Sequence, residues 1–361
     1  MQNAIYPGKV WMDTQGKPIQ AHGGAVFYEK GVFYWYGENK EFTDGENGIW
    51  TYGIKYYSSK DLYNWTDEGF LIPPSEDEDC LLHPKWRVDR PHIIYCAMTK
   101  TYVCWIKISG PEACFVLARA DEFAGPYEIV REHYRPLGKK VGDFDLVWDD
   151  ETGEAWVLFD GDHEGIYGLR LTEDYLDVTG EAVVSFGGLH PPFCREAPAH
   201  FKRNDIHYLL TSGMSGYVPN PSQTGVSKSP QGPYILQGDP HINDISRASF
   251  NSQISFVFRH PEKKDLYIAL ADRWVPDFVV NEKRSLAMER TIASRFYSEY
   301  TATEEERSIF MQRPALPHVA TRKAGYIWLP LRFEGDMVCI DWLDEWRMED
   351  YEAKTMEMNS I

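Results

Sequence analysis

Several things are missing from this sequence, and each absence removes a class of function. There is no CxxC pair and no cysteine–histidine spacing of metal-site type among Cys80, Cys96, Cys104, Cys114, Cys194 and Cys339, which excludes the thiol-redox and zinc-ribbon patterns. Cys96 and Cys104 lie in apolar runs and read as inert core thiols. The P-loop, GxSxG, HExxH and dinucleotide fingerprints are all lacking, so the main motif-bearing enzyme classes fall away. No apolar run approaches the roughly 18 residues of a membrane span. The start, Met1 to Gly8, has neither the charged nor the apolar region of a signal peptide, so a soluble, cytoplasmic protein is expected. Positive charge is in deficit: 37 Lys and Arg face 55 Asp and Glu, a net charge of −18. That balance repels phosphate and argues against nucleic acid or an anionic membrane as partner, while leaving a neutral ligand such as a sugar open. With no Pro/Gly/Ser-rich linker and no low-complexity stretch, residues 1–361 are expected to form one domain.

What the chain has in abundance is aromatic residues, 14% of the total with 12 Trp and 22 Tyr. Most serve a core, but such rings also suit polyhydroxylated ligands. They cluster in short runs, each following a turn rich in Gly, Asp or Asn: 31–36, 101–106, 153–158, 205–210, 265–270 and 325–330. Their central aromatics at 34, 102, 156, 208, 267 and 328 recur roughly every 50 to 70 residues. A second element recurs about half a period later, at 58–65, 120–127, 171–176 and 227–234. Paired repetition at this period, with several strands per unit, predicts an all-β five-bladed β-propeller with the segment after about 320 closing the ring. A β-sandwich would not explain the paired period. Only 61–63, weakly, and 303–309 look helical.

Propeller sites form where inner strands approach the axis, so candidates should recur at matching points of different blades. Blade one offers Gln20-Ala21-His22-Gly23-Gly24 and Glu38. Blade two offers Asp89-Arg90-Pro91, blade three Asp143 and Asp145, and blade four Arg195-Glu196-Ala197-Pro198 with the loop around Tyr217. Blade five offers Gln253 and then Asp272-Arg273-Trp274. Taken singly, Glu196 reads as a salt-bridged surface residue and His22 as a satisfied structural histidine. Acids converging on one axis shift one another's pKa, however, and the least solvated is raised towards the general-acid range. Two carboxyl groups flanking a glycosidic bond are the minimum for hydrolysis.

The motifs 11–16 (Trp-Met-Asp-Thr-Gln-Gly), 20–24, 35–38 (Trp-Tyr-Gly-Glu), 89–91, 195–198, 250–253 (Phe-Asn-Ser-Gln) and 271–274 (Ala-Asp-Arg-Trp) run in order along the chain. In these the sequence resembles glycoside hydrolase family 43, and within it the exo-β-1,3-galactanase branch. The resemblance implies an inverting exo-glycosidase that removes terminal β-1,3-linked galactose from (arabino)galactan-type oligosaccharides. It implies Glu196 as general acid and Gln253 as an unusual amide base, with Asp89 beside them. Glu38, Asp143, Gln20, His22, Tyr217 and Arg273 would bind substrate. No cofactor is implied; the axis of such propellers can take an ion such as calcium, but the sequence presents no ligand set for a metal. Departures from the branch are Asp89 where it prefers glutamate, Ser215-Gly216-Tyr217 where it has Thr-Gly-Trp, and Asp162-His163-Glu164-Gly165 in place of an asparagine-bearing loop. An α-L-arabinofuranosidase or β-xylosidase on the same scaffold, and a sugar-binding propeller without catalysis, remain as alternatives.

Overall fold

The computed structural model describes residues 1–149, 151–314, 316 and 318–354. Nineteen of its strands fall into five antiparallel sheets set around an axis. Blade one is β1 (His22–Glu29), β2 (Val32–Glu38), β3 (Ile54–Ser59) and β4 (Thr66–Ile72). Blade two is β5 (Arg87–Cys96), β6 (Thr101–Ser109), β7 (Cys114–Ala120) and β8 (Glu128–Tyr134). Blade three is β9 (Val141–Trp148), β10 (Ala155–Gly161), β11 (Ile166–Leu171) and β12 (Val178–Ser185). Blade four is β13 (Arg195–Arg203), β14 (Ile206–Gly213), β15 (Gln223–Ser227) and β16 (Ile235–Gly238). Blade five has three strands, β17 (Gln253–Arg259), β18 (Tyr267–Arg273) and β19 (Gly325–Pro330); a small hairpin, β20 (Arg332–Glu334) and β21 (Met337–Cys339), follows.

The repeat seen in the sequence maps onto this plan strand by strand. The aromatic runs at 34, 102, 156, 208 and 267 are the second strands β2, β6, β10, β14 and β18, each paired on both sides and buried on both faces. That double burial favours continuous apolar, aromatic runs over alternation. The half-period elements are the turns between third and fourth strands of blades one to four. Short turns join the first two strands; between β1 and β2, Lys30 (φ 50°) and Gly31 (φ 82°) both have left-handed backbone, as a two-residue hairpin with matching twist requires.

The sixth aromatic run is β19, which pairs with β18 as the third strand of blade five after residues 274–324 intervene. The segment after about 320 also meets the N-terminal segment: Ile5 bridges to Trp346 and the Gly8 N–H donates to the Tyr326 carbonyl at 2.8 Å. Trp11, Trp35, Trp65 and Trp328 pack at this seam, with Trp35 ring centroids 5.4, 5.4 and 4.5 Å from the other three. The segment 61–63 is not helical: Asp61 Oδ1 accepts the N–H groups of Tyr63 and Asn64 in an Asx turn.

The insertion in blade five carries two helices, α1 (Glu282–Ala293) and α2 (Glu304–Met311). α2 matches the expected helical stretch, with a capping box between Thr303 and Glu306. α1 was not anticipated, although Asn281 is a readable start signal and its side chain accepts the Arg284 N–H. All six cysteines are free.

Candidate active site

The site is built from one rung repeated around the ring. In blades one, two and four the first strand bulges just after the paired residues His22/Glu38, Asp89/Lys107 and Glu196/Ser212. The residue after each of His22, Asp89 and Glu196 has positive φ: Gly23 at 59°, Arg90 at 45° and Ala197 at 49°. A bulge turns the local strand and re-aims side chains, so all three blades present the rung to the axis. The corresponding pairs in blades three and five are Val141/Gly161 and Gln253/Asp272. Asp89 and Glu196 therefore occupy equivalent positions, as their motifs suggested. Asp143 does not: its blade places Val141 on the rung, and Asp143 reaches the pocket from two residues further along β9.

Of these residues Glu38, Asp89, Arg90, Lys107, Asp143, Glu196 and Gln253 line an open pocket with a cavity volume of about 150 Å³. His92, Phe144 and Phe256 fill the axis beneath it, with the His92 ring 5.0 and 5.8 Å from the other two. Asp145 lies in this layer, receiving the His200 N–H at 2.7 Å and meeting His92 Nδ1 at 3.2 Å. The pocket thus has a floor, and a chain entering it must leave by the mouth.

Four carboxyl groups, Glu38, Asp89, Asp143 and Glu196, face three cations. Lys40, fully buried, reaches Glu38 at 2.7 Å and Asp89 at 3.7 Å. Arg90 Nε meets Asp143 at 3.0 Å, its backbone N–H donates to Glu38 at 2.9 Å, and Lys107 meets Asp143 at 2.5 Å. Burial would raise the Asp143 pKa, but Arg90 and Lys107 outweigh it and hold the group at about 2. Burial raises Glu38 to about 7, against the pull of Lys40. Among the described residues no cation is in hydrogen-bond contact with Glu196, and burial, followed by the charges of Asp143 and Asp160, pushes it up to about 8. Gly23 belongs to the same arrangement: a Cβ there would fall on the Glu38 carboxylate.

Gln253 is gripped from four sides. Its Oε1 accepts from Arg90 Nη2 at 2.9 Å and Trp274 Nε1 at 3.2 Å, while its Nε2 points to Ser212 Oγ at 2.8 Å and Glu196 Oε1 at 3.4 Å. Arg90 and Trp274 can only donate, which fixes which end of the amide faces them. Tyr217 lies 6.0 Å from the Trp50 ring and 5.4 Å from the Trp274 ring, giving the pocket an aromatic wall. Trp50 Nε1 also donates to Asp89 Oδ1 at 2.6 Å, and Ser109 donates to the other oxygen, so the shorter acid of blade two is held between the β2–β3 loop of blade one and its own blade.

Glu38, Asp89, Asp143, Glu196, Tyr217 and Gln253 therefore come together. Three other candidates do not. His22 is fully buried, with Nδ1 on Asp272 (2.9 Å) and Nε2 on the Tyr326 hydroxyl (3.2 Å); both ring nitrogens are occupied, which corrects its assignment to substrate. Gln20 is buried, with Oε1 taking the Lys40 N–H, and so supports the loop behind the pocket. Arg273 points its guanidinium at the carbonyls of Phe250 and Asn251 and lies outside the pocket lining. Sequence reasoning missed Lys40, Trp50 and Lys107. Strand pairing could have found Lys107, which stands opposite Asp89; Lys40 and Trp50 sit in a loop with no periodic signal.

Among the described residues no group of three or more His, Cys, Asp or Glu is arranged to hold a metal ion, and no helix is long and apolar enough to cross a membrane. The blade-three loop that departs from the branch pattern is tied down by Lys139 to Asp162 (3.0 Å) and Glu164 (2.9 Å), with His163 on Asp160 at 2.5 Å.

The family model described as "Glycosyl hydrolases family 43" matches residues 22–273. Two solved structures described as GH43 β-1,3-galactosidases superpose on the chain. The first has a TM-score of 0.77 and 27% identity, covering 97% of this chain and 65% of the other. The second, bound to galactodeoxynojirimycin, has a TM-score of 0.76 and 26% identity, covering 95% of this chain and 100% of the other. An exo-β-1,3-galactanase from Phanerochaete chrysosporium, with β-1,3-galactotriose, shares the fold at a TM-score of 0.75 and 24% identity, covering 96% of this chain and 68% of the other. The chain thus spans about two-thirds of the first of these structures. No curated protein matches it.

Proposed function

The chain belongs to glycosyl hydrolase family 43, and from that membership we propose that it is an inverting exo-glycosidase releasing terminal β-1,3-linked galactose from galactan-type oligosaccharides. The observation that carries this reading is Glu196, a carboxyl group opening on a floored pocket and pushed up to about 8. It retains its proton at neutral pH and can give it to a leaving oxygen. Asp143, beside two cations, stays ionised, so the environment separates the two carboxyl groups into acid and anion. Galactose as the sugar is supported by the names of the two β-1,3-galactosidases.

In the proposed reaction Glu196 protonates the glycosidic oxygen as its bond to the anomeric carbon breaks. A water molecule oriented by the Gln253 amide adds from the opposite face, inverting the anomeric configuration; the proton it loses passes to solvent, from which the Glu196 carboxylate is reprotonated. Both Gln253 Oε1 contacts are donors, so accepting a water hydrogen requires one of them to yield. Glu38, Asp89 and the Trp50–Tyr217–Trp274 wall position the sugar.

Incubation with β-1,3-galactobiose and arabinogalactan, alongside nitrophenyl galactoside, arabinofuranoside and xyloside, tests the proposal. Galactose released first as the α-anomer, read by NMR, is expected. Release of arabinose or xylose alone moves the specificity to another sugar on the same scaffold. Oligosaccharide binding with no sugar released at high enzyme concentration identifies a non-catalytic binding propeller.

A further inference from the structure

Outside the pocket, three aromatic rings of blade one form a continuous exposed strip. Phe42 and Phe70 are 43% and 41% exposed. Half-buried Tyr52 links them, its ring centroid 4.9 Å from Phe42 and 6.2 Å from Phe70. Single exposed apolar side chains are ordinary, but three aromatic rings in mutual contact are a patch.

The position of the strip identifies what would cover it. Phe42 and Tyr52 lie on the β2–β3 connection, the loop that also supplies Trp50 to the pocket lining and buries Lys40 against Glu38. Tyr52 is two residues past Trp50, so their Cα atoms are within about 7 Å, and Phe42, four residues past Glu38, is within about 14 Å. The strip therefore lies on and beside the loop that supplies Trp50 to the pocket, and its centroid steps of 4.9 and 6.2 Å span a distance on the order of two sugar rings. The loop is held in shape by Asn47 Nδ2 to the Phe42 carbonyl (2.8 Å), Thr43 Oγ1 to the Trp50 carbonyl (2.8 Å) and the pair Asn39–Tyr52. Gly53, with φ 74°, returns the chain beneath Phe70, where a Cβ would crowd that ring. The rings are thus presented on a braced loop, with apolar faces of the kind on which sugar C–H groups stack.

We propose that Phe42, Tyr52 and Phe70 form a binding surface for the part of a neutral polysaccharide that remains outside the pocket while its terminal sugar is inside. This rests on the glycosidase reading above, because the floored pocket forces the rest of a bound chain out across the mouth. The strip binds polymer and leaves the cleavage of a disaccharide unaffected.

The test compares wild type with the double variant Phe42→Ala/Phe70→Ala on β-1,3-galactobiose and on a long soluble β-1,3-galactan. The expected result is unchanged kcat/KM for the disaccharide and a KM for the galactan raised about threefold to tenfold, with Phe42→Tyr/Phe70→Tyr restoring wild-type behaviour. An unchanged galactan KM, or a parallel loss on both substrates, overturns the proposal. Affinity electrophoresis in galactan gels reads the strip without turnover: wild type is expected to be retarded more than the double variant, and equal retardation overturns the strip. Failure of wild type to cleave either substrate counts against the glycosidase reading instead.

Discussion

Nε2 of Gln253 lies 3.4 Å from Oε1 of Glu196. The two carboxyl groups of an inverting glycosidase stand about 6.5 to 9.5 Å apart, so the proposed roles require a bound sugar to part Glu196 and Gln253. Arg90 and Trp274 hold the other end of the amide. Replacing Gln253 with Ala is expected to lower kcat by about 10²- to 10⁴-fold on galactobiose, with the fold intact by circular dichroism. Full activity in that variant would remove the amide from the mechanism while leaving Glu196 in place.

Glu196→Gln keeps the shape and loses the proton. It is expected to lower kcat about 10²- to 10⁴-fold while oligosaccharide affinity, measured by calorimetry, changes little. A variant hydrolysing as fast as wild type would show that another group protonates the leaving oxygen.

The pH profile follows from the same carboxyl group. A general acid works in its protonated form, so kcat/KM is expected to fall as pH rises through about 8. Asp143→Asn removes a negative charge that raises Glu196, and the alkaline limb is expected to move to lower pH. A limb that stays in place would separate Asp143 from the tuning of the acid.

Stability should show the same titration. Glu196 and Glu38 have folded-state values of about 8 and 7 against an ordinary 4.5. Between those limits the folded chain binds more protons than the unfolded one, so stability falls as pH rises from about 4.5 towards 8. Glu196→Gln is expected to melt close to wild type at pH 4.5 and above it at pH 8. Identical pH dependence in the two proteins would contradict the raised value.

Lys40 has no exposed surface and faces both Glu38 and Asp89. Lys40→Met would leave buried carboxylates without their cation, a loss of about 3 to 5 kcal/mol in similar cases. Denaturant unfolding should show it, and the destabilisation should shrink at acid pH as Glu38 protonates.

The period of aromatic runs was enough to count the blades, because the second strand of each is buried on both faces and cannot alternate. It could not place the sixth run, since β19 carries the same signal as a second strand and only its pairing with β18 makes it the third strand of blade five. The motifs around Glu196, Asp89 and Gln253 were legible as short acid- or amide-bearing segments next to strands. His22 sat in an equally suggestive motif and proved structural, because Asp272 and Tyr326, some 250 and 304 residues away in sequence, take both of its nitrogens.

By itself the sequence determined the five-fold repeat, the order of the motifs and the residue types delivered to the axis, because these depend on local burial and turn chemistry. Only the tertiary structure decided the protonation of the site. Glu196 and Asp143 are both carboxyl groups near the same axis, and nothing local distinguishes them. Folding places Arg90 and Lys107 against Asp143 and leaves Glu196 with an amide, and charge interactions in a buried pocket then drive the two groups in opposite directions.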